Sequence, residues 1–154
     1  MQGDPRVVQL LNEVLTTELT AVNQYFLNSM MCKNWGYAKL AKVHRDISMD
    51  EMRDTEALID RILYFDSLPN MQRMWTVKVG ETAVEQMQLA LQLEKDAVKR
   101  LTDGVLLCQE VGDQGTREFL AASIREEEEH VDLWETKLEA VRQVGEANFL
   151  AQQL

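Results

Sequence analysis

Apolar residues recur three and four apart through most of the chain, the spacing that marks one face of an α-helix. Asp4 and Pro5 open the first run as N-cap and first helical residue. Val8, Leu11, Leu15, Val22 and Tyr25 then share a face, and Gly36 supplies the C-cap. A second helix is expected from Ala38 to Asp66, with Leu40, Val43, Ile47, Leu58, Ile62 and Phe65 turned inward. Leu68-Pro69-Asn70 stops it. A third runs from Glu81 to Val111 on Val84, Met87, Leu91, Val98, Leu101, Val105 and Cys108. Gly112 and Gly115 break the pattern. A fourth covers Thr116 to Val144, with Leu120, Ile124, Val131, Trp134 and Leu138 on one face. Gly145 ends it, and Glu146 to Leu154 forms a short fifth helix carrying Phe149 and Leu150. Residues 67–82 lack this period; Val77 and Val79 alternate with Lys78 and Gly80 as an extended strip. So long a connection lets the chain cross the length of a helix before the third begins.

Two pairs of long helices joined by one long crossover describe an all-α, ferritin-like four-helix bundle with a short C-terminal fifth helix. Residues 1–154 are read as one domain. Composition adds little: 45% hydrophobic and 27% charged residues, with only seven Gly and two Pro to interrupt helices. No apolar run approaches the roughly 20 residues of a membrane span. The N-terminal stretch is neither basic nor apolar like a signal peptide, so the expected location is cytoplasmic, without a membrane partner. A net charge of −10 argues against nucleic acid and suits attraction of cations. Cys32 and Cys108 lack metal-finger spacing; Cys108 continues a stripe as core, and Cys32 reads as a reduced bystander.

The chemistry lies where carboxylates interrupt the stripes. Glu18 falls between Leu15 and Val22, Glu51 between Ile47 and Leu58, Glu94 between Leu91 and Val98, and Glu127 between Ile124 and Val131. A buried carboxylate is costly without a cation or hydrogen bonds. Any one of these could be a solvated face, but four aimed at one core ask for metal. Bundles of this type hold two metal ions with one Glu from each of two helices and a Glu-x-x-His pair from each of the others. Glu127 and His130 make one such pair; Glu51 is followed three residues later by Asp54 instead. Asp54 is either a shorter, more negative ligand or a lapsed one. Of the run Glu126 to Glu129, only Glu127 is expected to point inward. Asp46, Asp50 and Asp54 form an i, i+4, i+8 ridge, read either as a cation path or as a solvated face. Tyr25 lies beside the cluster as a candidate electron donor, and His44 is read as a surface residue off the stripe.

The chain resembles the bacterioferritins, the haem-containing branch of the ferritins, along essentially its whole length. The resemblance rests on Met-Gln-Gly-Asp at the start, Asn23-Gln24-Tyr25-Phe26-Leu27, Asn34-Trp35-Gly36, Asp50-Glu51-Met52, Arg61-Ile62-Leu63, Leu68-Pro69-Asn70 and Glu127-Glu128-Glu129-His130, in family order. It implies a hollow shell of twenty-four subunits that stores iron as ferric mineral. It also implies haem b at each two-fold interface, held by Met52 from both subunits. The family's diiron ligands map onto Glu18, Glu51, Glu94, Glu127 and His130. Asp54 stands where the pattern has His, and Asp46 replaces a His of the inner-surface iron site while Asp50 agrees. Asn34, Asp66, Asp132 and Asn148 resemble pore residues. Leu68, Pro69, Asn70, Glu81 and Glu85 resemble a docking surface for a 2Fe-2S ferredoxin.

Two functions follow from the resemblance. One is an iron-storage subunit that oxidises Fe²⁺ with O₂ or peroxide at its own diiron centre. The other is a haem-binding structural subunit of a mixed cage, impaired by Asp54 and reliant on a second bacterioferritin subunit for oxidation. A diiron peroxidase of the rubrerythrin kind is disfavoured by the lack of a Cys-x-x-Cys pair.

Overall fold

The computed structural model describes all of residues 1–154. It contains α1 (Pro5–Asn34), α2 (Ala38–Tyr64), α3 (Ala83–Val111), α4 (Gln114–Val144) and α5 (Glu146–Ala151). The first four form a ferritin-like four-helix bundle with the crossover between α2 and α3, and α5 packs on α4. No helix is long and apolar enough to cross a membrane.

The helix ends depart from the sequence reading by a few residues, for local reasons. Asp4 caps α1 by accepting from Arg6 N at 2.8 Å. At its other end Trp35 is the cap, and Gly36 follows with φ +90°, where its amide and that of Tyr37 bond back to Lys33 and Cys32. α2 stops at Tyr64 rather than Asp66, because Asp66 itself takes a left-handed φ of 52°. The Ser67 amide then bonds to Ile62 O in the same reversed turn. α3 begins at Ala83, two residues later than Glu81, since Thr82 is its cap and accepts from Glu85 N. Asp113 starts α4 two residues earlier than Thr116, bonding both the amide and the hydroxyl of that threonine. α5 ends at Ala151 rather than Leu154.

The buried seams follow a tighter rule than the apolar stripes. On α3 the buried residues Ala83, Met87, Ala90, Glu94, Ala97, Leu101, Gly104 and Cys108 alternate four and three apart, and Gln86 is buried beside this line. Val84, Leu91, Val98 and Val105, expected inside, are only half-buried on its flank. The seam uses small residues because they let helices approach closely. A Cβ at Gly104 would lie 2.6 Å from the Leu10 side chain. The same alternation runs on α1 through Val7, Leu11, Val14, Glu18, Ala21, Tyr25, Asn28 and Cys32. It is the heptad spacing of left-handed bundle packing.

The apolar core is split. One cluster, including Leu11, Leu15, Leu58, Ile62, Leu101 and Leu120, fills one end. The other, including Tyr25, Leu40, Ile47, Met87 and Trp134, fills the opposite end. The interrupting carboxylates occupy the layer between. The crossover lies along α1, where Thr20 Oγ1 accepts from Trp75 N at 2.9 Å and Thr17 Oγ1 accepts from the indole at 3.1 Å. The extended reading of Val77 and Val79 pairs with no second strand; this segment bonds instead to side chains of α1.

Candidate metal centre

The four helices bring Glu18, Glu51, Glu94 and Glu127 together, each no more than 4% exposed, with His130 at 8%. Their side-chain atoms form two overlapping quartets. Glu51, Glu94, Glu127 and His130 have donor atoms within 4.8 Å of one another, and so do Glu18, Glu51, Asp54 and Glu127. Glu51 and Glu127 belong to both, so each is placed to bridge two ions. His130 comes from the turn after Glu127 on the same face of α4. Its Nδ1 lies 3.3 Å from Glu51 Oε1, 3.5 Å from Glu94 Oε1 and 3.3 Å from Glu127 Oε2.

One imidazole nitrogen cannot satisfy three carboxylates. Glu18 Oε2, both oxygens of Glu51 and Glu127 Oε1 are buried without a hydrogen-bond partner. The Glu51–His130 approach is close in distance but lacks hydrogen-bond alignment. Buried polar groups are nearly always paired, and four unpartnered carboxylate oxygens at one point fit a cation-binding centre. Oxygen and imidazole donors suit iron, zinc or manganese.

The electrostatics agree. Burial first, then Glu51 and its neighbours, pushes the Glu18 carboxyl well above the usual range. Burial also raises Glu51, partly offset by its neighbours Glu18 and His130. Glu127 is pushed up to about 8 by burial and by Glu94. Asp54 is pushed up to about 8 by burial and by Glu126 and Glu51. Burial alone lowers the His130 imidazole, but Glu127, Glu51 and Glu94 together outweigh it and hold it charged. These groups cannot all ionise without a cation.

Tyr25 caps the enclosed quartet. Its hydroxyl donates to Glu94 Oε1 at 2.6 Å and accepts from Trp134 Nε1 at 2.9 Å. Burial and then Glu94 raise its pKa, so it stays a neutral donor.

The Ferritin-like domain family matches residues 8–144. A bacterioferritin of Mycobacterium leprae is 48% identical over 99% of this chain and 96% of its own length. Bacterioferritin BfrA of Mycobacterium tuberculosis is 47% identical over the same shares. The bacterioferritin of Streptomyces coelicolor is 43% identical over 98% of this chain and 90% of its own. The chain belongs to the bacterioferritin family. Iron storage is the function that this membership carries.

Other residues singled out in this bacterioferritin sequence fall into place unevenly. Asp54 lies at the edge of the cluster, half-buried. Asp46 and Asp50 do not reach it; Asp46 pairs with Lys42 at 2.6 Å and Asp50 with Arg53, each within one turn of α2. Two of the ridge's three charges are thus already balanced. Met52 is 42% exposed on the outer face of α2, and Phe26 is exposed on α1 beside Arg45. Leu68 is 87% exposed, with Asn70, Glu81 and Glu85 also at or near the surface. Asn34, Asp66, Asp132 and Asn148 are all exposed, and Asp66 pairs with the N-terminal amine at 2.6 Å.

His44 corrects the sequence reading. It is fully buried, not on the surface, and stacks on Trp134 with ring centres 4.7 Å apart. Neither of its ring nitrogens has a partner. The signal was its seam position, four after Leu40 and three before Ile47. Cys32 is likewise buried, and its thiol donates to Gln86 Oε1 at 3.2 Å. Burial pushes this thiol up to about 11, which keeps it protonated. Glu126, expected on the solvated face of its run, is half-buried and close enough to raise the Asp54 carboxyl.

Proposed function

We propose that the chain is a one-domain cytoplasmic subunit of a hollow 24-mer. It takes up Fe²⁺, oxidises it at the bundle centre and passes Fe³⁺ to a mineral core in the cavity. The observation that carries this reading is the convergence of four buried glutamates and His130 with carboxylate oxygens left unpartnered. Fe²⁺ is the substrate; two ions each lose one electron, and O₂ with two protons leaves as hydrogen peroxide, or peroxide with two protons as water. Glu51 and Glu127 hold the pair together. Glu94 and His130 would complete one position, Glu18 and Asp54 the other. Five carboxylates and one imidazole favour the ferric product over the ferrous substrate, since added negative charge stabilises the higher oxidation state. Tyr25 orients Glu94 through its short hydrogen bond and stands in line to supply an electron.

Haem b would be held on the outer face of α2. Met52 presents an exposed thioether, a soft donor of the kind that holds haem iron. A two-fold interface repeats one patch on both partners, so Met52 of each subunit would help to hold one shared haem. When bound, the haem supplies one-electron transfer for mineral reduction. Exposed Leu68 with Pro69, Asn70, Glu81 and Glu85 would then receive a 2Fe-2S ferredoxin.

The second reading, a haem-carrying structural subunit in a mixed cage, is favoured by Asp54, which puts a short carboxylate at the less enclosed end of the centre. Stopped-flow Fe²⁺ oxidation by the haem-loaded protein alone, beside Asp54→His, separates the two. Rapid oxidation of two irons per subunit supports a self-sufficient ferroxidase. Slow oxidation rescued by histidine assigns oxidation to a partner subunit.

A further inference from the structure

α1 packs against α3, whereas α2 and α4 keep their backbones apart. The seam between α2 and α4 holds a cavity of about 160 Å³, reaching inward to Glu18. Asp54 from α2 and Glu126 from α4 face it from opposite walls, with Ala122 and Ser123 beside them. We propose that this seam is the cation portal of the bundle centre, with Glu126 and Asp54 as its mouth and Glu18 as its inner end. The proposal rests on the reading that the centre binds iron, and it adds a route and a residue to it.

Three observations carry it. First, Glu18 Oε2 is buried, lacks any partner and lines this cavity, so the cavity ends on an unsatisfied anion. Second, neither Asp54 nor Glu126 pairs with a Lys or Arg, while Asp46 and Asp50, two turns and one turn earlier on α2, both do. Two facing carboxylates without a cation repel each other, and a divalent ion between them removes the repulsion. Third, the space suits a hydrated ion. At about 30 Å³ per water, the cavity takes an ion with several of its waters. Small side chains at Ala122 and Ser123 leave it clear, and apolar Leu58 and Phe119 give it low-dielectric walls that focus the field of the carboxylates. The far end of the cluster offers no such route, because Tyr25 and Trp134 close over Glu94 and are themselves fully buried.

Co²⁺ uptake tests the portal without redox chemistry. Its visible absorption on entering the centre gives a rate by stopped flow, and its end point gives a stoichiometry. Glu126→Gln keeps the shape and removes the charge; it should slow entry several-fold, weaken the salt dependence of the rate and leave the stoichiometry unchanged. Ala122→Trp fills the seam and should slow entry by roughly tenfold or more, within the range that focusing and access impose on such rates. Glu128→Gln, on the exposed face of α4, should enter as the unaltered protein does. Wild-type rates in Glu126→Gln would overturn the portal and leave the metal centre standing. An unaltered protein that takes up no Co²⁺ would overturn both. Circular dichroism checks that the tryptophan variant is folded, and the glutamine variant decides alone if it is not.

Discussion

At one end of the carboxylate cluster Glu94 and His130 lie beneath Tyr25 and Trp134, and every donor is buried. At the other, Glu18 and Asp54 face a cavity, and Asp54 is half-exposed. The enclosed end offers three carboxylates and an imidazole, fixed by a hydrogen-bond chain to the aromatic core. The open end offers four carboxylates and nothing that locks Asp54 in place. One seam spacing on four helices thus builds a rigid position and a yielding one, with Glu51 and Glu127 common to both. Rigid donors hold an ion tightly; yielding, accessible donors let one arrive and leave. Such a pair suits a centre that must bind its substrate and then release it.

Substitutions that separate shared from unshared ligands test this division most severely. Glu127→Ala removes a donor from both positions, so metal uptake should fall from two ions per subunit toward none, and Fe²⁺ oxidation by about 100-fold or more. Glu18→Ala touches only the open end. It should leave one ion, with His130 still showing a metal-shifted imidazole resonance. Loss of both ions from Glu18→Ala would show that the two ends are one cooperative site.

A smaller effect is the pH dependence of the metal-free protein. Glu127 and Asp54 have folded values near 8, above those of the unfolded chain, and His130 is raised as well. The folded state therefore binds more protons than the unfolded state between pH 6.5 and 8, and stability falls as pH rises through that window. The Tm of the apo protein should drop by several degrees. Metal reverses the sign, because it binds the deprotonated carboxylates. Asp54→Asn removes the open end's share and should make the apo slope shallower. An unchanged slope would mean that Asp54 is solvated too well to differ from the unfolded chain.

Much of this was legible in the sequence, for reasons that also explain what was missed. Glu18, Glu51, Glu94 and Glu127 could be found because each breaks an apolar stripe at the same depth. The bundle could be read because caps and glycines bound four long periodic runs. His44 escapes a stripe defined by the largest apolar side chains, because a polar ring occupies its seam position. The actual seam runs four-three through whatever residue occupies it, polar or small. On α3 likewise the larger Leu91 and Val98 flank the seam that the smaller Ala90 and Ala97 fill. Glu126 was hidden for another reason: its partial burial depends on the gap between α2 and α4, a tertiary spacing that no single helix encodes.

His44 gives the smallest effect and the finest test of how dry the enclosed end is. Its imidazole is fully buried, with neither nitrogen paired, and burial together with Lys137 lowers its pKa to about 3. It is neutral throughout the working range, and its desolvated nitrogens cost about 1–3 kcal/mol. Stacking on Trp134 returns about 0.5–1.5 kcal/mol. His44→Leu loses the stack and relieves the nitrogens, for a net gain of about 1 kcal/mol and a rise in Tm of about 2–4 °C. The gain has a pH signature. Below about pH 6.5 the unfolded chain protonates His44 while the folded state does not, so the native protein loses stability on acidification through this residue and the variant does not. The Tm difference between variant and native protein should therefore widen from pH 7 to pH 4. An equal fall in Tm at every pH would mean that ordered water satisfies His44 and that this end of the bundle is wet. The contrast between a sealed and an open end would then rest on the Asp54–Glu126 seam alone.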